Sequence, residues 1–218
     1  YKETDIRRWK MKITEILPQK RNNRVNIYID GEFAFGLDEE LRFKYDLYVG
    51  KEVSQDFIDE VIKAEEEKKV INQALNLLSY GARSRKALYK RLAKKGYEEE
   101  QIEKAIAFCE KYGYINDHEY AKSFIRDRIK LKKHGSRRIR YDLISKGVGQ
   151  EVIDQMLDID EDEEYERALE LAKKRIKSYK NDNKQAIYRK LGGYLARRGY
   201  PYSVVTKVLR EVLEELEG

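Results

Sequence analysis

A chain of 218 residues with 39% charged and 41% hydrophobic side chains carries a formal net charge of +6. Apolar residues are too plentiful and too regularly spaced for a disordered chain, and no run approaches the ~18 apolar residues of a membrane span or forms a signal-peptide core. The single cysteine, Cys109, excludes an intramolecular disulfide and points to a reducing, cytoplasmic setting.

The first fifty residues alternate. Val25, Ile27 and Ile29 point one way, as do Phe33, Phe35 and Leu37, with Asp30-Gly31 between them as a two-residue hairpin turn. A strand around Ile13 to Leu17 would complete a small meander. Met11 would make a reasonable start, which leaves the origin of residues 1–10 open. Ser54 has the chemistry of an N-cap for a helix through Phe57, Ile58, Val61 and Ile62. The pattern leaves open whether that helix breaks near Glu65 to Lys69.

From about residue 67 the chain repeats. Lys95-Gly96, Lys146-Gly147 and Arg198-Gly199 align, and Leu88 and Leu92 then match Ile139 and Leu143, and Leu191 and Leu195. After each glycine come Ile102, Ile153 and Val205 at one offset. Upstream, Ala74, Ala121 and Ala168 each open an apolar stripe, spaced by 47 residues. Each unit reads as helix, helix, glycine-ended turn, helix. Gly96, Gly147 and Gly199 stand where a left-handed C′ residue is expected, and Ser84, Asn116 and Ser136 where N-caps are. The predicted fold is mainly α, an elongated array of three tandem three-helix units behind a small β-meander. The expected divisions are a strand region at 1–53 and helical units at 54–113, 114–159 and 160–218.

Charge follows the repeat. Ten bases face two acids between Lys122 and Lys146, and ten face one between Lys173 and Arg198. The third helices are acidic instead, at Glu98 to Glu103, Glu151 to Asp154 and Glu211 to Glu217. With Leu88 and Leu92 in the core, Lys86, Lys90 and Lys94 project outward. Arg137 and Arg189 occupy the place of Lys86 in the second and third units. Lys122, Arg126, Lys130 and Lys133 make a further stripe, and Arg138 and Arg197 complete the candidate set. A single basic stripe is ordinarily just a solvated helix face; one that recurs in three units is the footprint of a phosphate-backbone partner. Tyr141, predicted outward, could stack on a base.

No catalytic constellation emerges. Asp158, Asp160 and Asp162 resemble the start of a calcium loop, but Glu163 and Leu169 fall where glycine and glutamate are required. They read instead as acids at a helix start. Two histidines, His118 and His134, assemble neither a metal site nor a triad, and no glycine-rich phosphate loop occurs. The chain reads as a non-enzyme without cofactor or metal. Gly192-Gly193 lies inside a predicted helix, where each glycine costs ~1 kcal/mol relative to alanine or permits close backbone approach.

Gly113-Tyr114-Ile115-Asn116-Asp117-His118-Glu119-Tyr120-Ala121 resembles the hallmark of RecX regulatory proteins, and so does the segment from Ser84 to Tyr97, apart from Ala87 in place of the usual acid. The resemblance covers about residues 67 to 213; Lys12 to Ser54 is similar to an extension found in some members. It implies a cytoplasmic regulator of recombination and DNA repair that binds RecA–DNA filaments along their groove. Such a protein would dampen strand exchange, ATP hydrolysis and the SOS-related stimulation of repressor cleavage. The partners expected are RecA and single- or double-stranded DNA without strong sequence preference, met as a monomer and away from membranes. A helix-turn-helix transcription regulator is the alternative, although base readout favours amide side chains, whereas the outward residues here are lysine and arginine. A protein-docking scaffold without nucleic-acid contact is a third reading.

Overall fold

Alternating apolar residues behind a tight turn build the sheet that the first fifty residues call for. The computed structural model describes residues 10–20, 23–179 and 181–215; the N-terminal residues 1–9 and the end of the last acidic run, with Glu217, lie outside them. Strands β1 (Met11–Pro18), β2 (Arg24–Ile29), β3 (Glu32–Asp38) and β4 (Glu52–Val53) form an antiparallel sheet of order β3-β2-β1-β4. Asp30 and Gly31 turn the hairpin at φ +50° and +89°, as the dipeptide predicts. The β4 strand was not visible in the sequence, being only two residues long.

Helix α1 (Glu39–Lys44) follows the sheet, and α2 (Gln55–Ser79) then runs unbroken for 25 residues. Ser54 starts α2, its hydroxyl accepting from the Phe57 amide at 3.3 Å. Ile13, Val25, Ile27, Leu37, Ile58 and Val61 make the core beneath. Midway along α2 the buried Glu65 receives the Arg24 guanidinium and the Asp38 amide, the latter at 2.9 Å. A buried carboxylate with this many donors is satisfied, and it fastens helix to sheet.

Eight further helices follow among the described residues: α3 (Arg85–Ala93), α4 (Glu99–Lys111), α5 (Asp117–Lys130), α6 (Ser136–Ser145), α7 (Gln150–Met156), α8 (Glu161–Ile176), α9 (Lys184–Arg198) and α10 (Tyr202–Glu214). With α2 they make up the three-helix repeats α2–α3–α4, α5–α6–α7 and α8–α9–α10. The chain divides into two compact units. One holds the residues up to 76 with 92–108, and the other holds 77–91 with 109 onward. The repeat stripes are buried as the periodicity requires: Ala121, Ile139, Leu143 and Ile153 in one cluster, and Ala168, Leu191, Leu195, Val205 and Leu209 in another. Leu88, Leu92, Ile102, Ile106 and Cys109 of the first repeat are buried too. The three turn glycines have φ of +88°, +83° and +87°.

Within the second unit, neighbouring repeats meet through one joint made twice. The Arg85 amide, at the start of α3, donates to Asp117 of α5 at 2.8 Å; the Ser136 amide, at the start of α6, donates to Glu164 of α8 at 2.6 Å. Asp117 and Glu164 are equivalent, 47 residues apart. The Ser84 hydroxyl donates to the Lys146 carbonyl at 2.5 Å, and the amide of Gly135, its counterpart, to the Arg198 carbonyl at 3.0 Å. The Arg137 amide adds a bond to Gly199 at 3.0 Å. The first amides of a helix have no partner within it, so each repeat caps the second helix of the one before. This corrects the sequence reading of Ser136. The N-cap is Gly135, which makes no side-chain cap bond, and Ser136 is already helical because the cap comes from Glu164. Asn116 and Ser84 do cap, accepting from His118 and Glu119, and from Ala87. Asp160 starts α8 in the same way, which accounts for the run of acids around it.

The joint does not extend to every repeat. In the first, Val70 stands where Asp117 and Glu164 do, and an added Cβ at Gly96 would meet nothing within 4 Å. In the third, α9 begins three residues before Ile187, the counterpart of Gly135. That position is a buried helix interior there, with its amide bonded to Asn183 within the helix.

Candidate nucleic-acid interface

The bases predicted to face outward sit on the second helices and on α5. Lys86 and Lys90 lie on α3, with Lys94 just past its end; Arg137 and Arg138 lie on the first turn of α6; Arg189 and Arg197 lie on α9; and Lys122, Arg126 and Lys130 lie on α5. All of these are exposed, whereas Lys133 is half-buried in the loop after α5, at φ +51°. On an amphipathic helix whose apolar stripe is buried, the charged side chains take the solvent-facing side.

Ion pairing divides the set. Lys86, Lys90, Lys94, Lys122, Lys130, Arg137, Arg189 and Arg197 have no ion-pair partner among the described residues. Arg126 lies 3.7 Å from Asp127, and Lys133 lies 3.3 Å from Glu170. Arg138 holds Asp142 at 2.9 Å, and its backbone packs against Gly199, where an added Cβ would come within 2.4 Å of the Arg138 amide nitrogen. Arg138 and Lys133 therefore serve the joint between the second and third repeats as well. Acids take up other cations: Lys173 pairs with Glu211 and Glu215, Lys104 with Glu67 and Glu100, and Arg140 with Asp154.

Behind the α5–α6 face lies a polar cluster the sequence did not disclose. Asp142 sits 3.6 Å from Arg128 and 4.0 Å from His134. Burial pushes the His134 imidazole below its ordinary pKa; Asp142 opposes that, and Arg128, Arg198 and Arg138 add to it. Nearby, the Tyr200 hydroxyl donates to the Lys133 carbonyl at 2.9 Å, and burial pushes its pKa up to about 12. Tyr141 is exposed, as predicted, with the Arg138 guanidinium 5.9 Å from its ring centre. Tyr188 and Tyr202, exposed on α9 and α10, were not singled out by the sequence. Among the described residues, no group of three or more His, Cys, Asp or Glu could hold a metal ion, and no helix is long and apolar enough to cross a membrane.

Family comparisons decide what kind of protein this is. Four family models match in succession: the regulatory protein RecX N-terminal domain over residues 11–54, and the first, second and third three-helix domains of RecX over 71–109, 116–157 and 161–209. The chain belongs to the RecX family. The regulatory protein RecX of Clostridioides difficile (strain 630) is 34% identical over 203 residues, covering 92% of this chain and 95% of that one. That of Clostridium perfringens (strain 13 / Type A) is 37% identical over 205 residues, covering 92% and 96%. A crystal structure of regulatory protein RecX superposes with a TM-score of 0.76 at 31% identity, over 91% of this chain and 98% of its own. That of RecX from Lactobacillus salivarius gives 0.63 at 27% identity, over 68% and 97%. The RecX hallmark at Gly113–Ala121 has a structural basis in this chain. Gly113 takes φ +72°, Asn116 caps α5, and Asp117 reaches back to cap α3.

Proposed function

We propose that this RecX-family chain is a non-enzymatic regulator of homologous recombination and DNA repair, which binds RecA–DNA filaments through the basic face of its repeats and lowers RecA activity. The observation that carries this reading is the recurrence of an exposed, unpaired cation at one position of three successive repeats, Lys86, Arg137 and Arg189. An unpaired cation gains most from a phosphate, because no internal partner has to be given up. The other exposed bases of α3, α5, α6 and α9 extend the footprint, with Arg126, Lys133 and Arg138 contributing while paired to Asp127, Glu170 and Asp142. Several modest contacts made together along a filament raise avidity without any one strong site. The reading requires no cofactor, and it places the protein in the cytoplasm as a monomer.

The test is the DNA-dependent ATPase of RecA from the same organism, with and without the full chain. Substoichiometric protein should lower the rate. No change in ATPase or filament lifetime, at concentrations that saturate DNA, would overturn the proposal. In parallel, replacing Lys86, Arg137 and Arg189 by Gln should make the log–log salt dependence of single-strand binding shallower by about 2. Sequence-selective binding to one duplex site would instead favour a transcription regulator.

A further inference from the structure

The glycine pair inside α9 lines an open groove. Between α9 and α10 runs a groove of about 300 Å³, the low end of the range for small-ligand sites. Val205 and Leu209 form its buried lining, while Tyr188, Tyr202, Arg137 and Arg189 border it from the exposed side. Gly192 and Gly193 leave the helix backbone bare along it. An added Cβ at Gly192 would stand 3.2 Å from Leu209 Cδ1, so packing against α10 accounts for that glycine. At Gly193 the only neighbour within 4 Å is the flexible end of Arg197, so packing does not require a glycine there. A glycine that weakens its helix and eases no contact calls for another explanation.

We propose that this groove receives one unstacked base of single-stranded DNA, lying against Tyr188 and Tyr202 over the bare backbone at Gly193, with the adjoining phosphates on Arg137 and Arg189. The inference rests on the nucleic-acid reading above and deepens it. Charge selects the occupant. Neither arginine has an ion-pair partner among the described residues, so an aliphatic side chain would desolvate two cations and neutralise neither, whereas a nucleotide brings its own anion. The repeat supports the same choice. Tyr188 holds the place of Arg85 and Ser136, whose amides are tied into the joints. In the third repeat that place lies within α9, and it carries a ring 48% exposed, beside Tyr202 at 71%. Base stacking on exposed rings beside a cationic track is how single strands are held without sequence preference.

The experiment compares the full chain binding a thymidine oligonucleotide with its binding to an abasic oligonucleotide of equal length and charge, by fluorescence anisotropy at moderate salt. The base-bearing strand should bind roughly 5- to 150-fold more tightly, the range expected for stacking one base. Tyr188→Ala with Tyr202→Ala should abolish that preference. So should Gly193→Leu, which fills the groove while favouring the helix; Gly193→Ala should reduce it, with helicity by circular dichroism kept or raised in both. Arg137→Gln with Arg189→Gln should weaken both strands. Equal binding of the two strands by the unaltered protein, or a preference that survives Gly193→Leu, would overturn the groove and leave DNA binding standing. If Gly193→Leu keeps the preference but loses the effect on RecA ATPase, the occupant is a protein side chain and the proposal fails. Binding of neither strand would remove the nucleic-acid reading along with the groove.

Discussion

The backbone amide of Gly135 donates to the carbonyl of Arg198 at 3.0 Å, so the residue that ends one repeat's second helix caps the start of another's. Glycine is required on both sides. An added Cβ at Gly135 would stand 2.5 Å from the Gly199 carbonyl carbon, and one at Gly199 would stand 2.2 Å from Arg138 Cβ. Gly96 has the same backbone conformation as Gly199 with nothing near it. Gly96→Ala should therefore cost only the left-handed conformation, about 1–2 kcal/mol. Gly199→Ala should cost a further ~1–3 kcal/mol of overpacking. Denaturant midpoints of the two variants check this; equal losses would show that the joint yields freely.

The acids that cross the joints make a second comparison. Glu164 is buried and takes the Ser136 amide. Glu164→Gln keeps an acceptor and should be mild, while Glu164→Leu leaves the half-buried Ser136 amide without its acceptor, at up to about 1–3 kcal/mol. Asp117→Ala removes a more exposed cap and should cost about 0.5–2 kcal/mol. Amide exchange at Ser136 should accelerate in the leucine variant alone, and unaltered protection there would refute the capping role.

His134 makes stability depend on pH. Burial lowers its pKa in the folded protein, so as pH falls the unfolded chain, with an imidazole near 6.5, takes up the proton first. The favourable contribution is complete above about pH 6.5 and is lost as pH drops from there toward the folded value. Thermal midpoints should fall between pH 7.5 and 5.5, and His134→Gln should flatten that part of the curve. Parallel curves for the two proteins would assign the effect elsewhere.

What the sequence disclosed and what it hid divide along range. The hairpin at Asp30-Gly31, the glycine turns and the Asn116 cap follow from rules spanning a few residues, and all three are present. The repeat periodicity located the buried stripes and the outward bases for the same reason. The joint was hidden because its two amide-to-acid bonds span 28 and 32 residues, and the acids read as ordinary helix surface. Glu65 was hidden likewise, since a glutamate amid Glu66 and Glu67 gives no sign of burial. Tyr188 and Tyr202 were overlooked because tyrosine serves core and surface alike, as buried Tyr200 beside them shows.

The helix α9 that starts early has a consequence for assembly. A head-to-tail contact between like units, left unmatched at its ends, would keep adding subunits and grow into a fibre. Here the third repeat offers no free helix start at the place where α3 and α6 are capped, and the first carries Val70 where the capping acid would be. Both outer repeats thus lack a group that the two inner joints use. Within the chain the contact is made twice and no more, so its glycines and acids bear on the coupling of three repeats and on nothing beyond them.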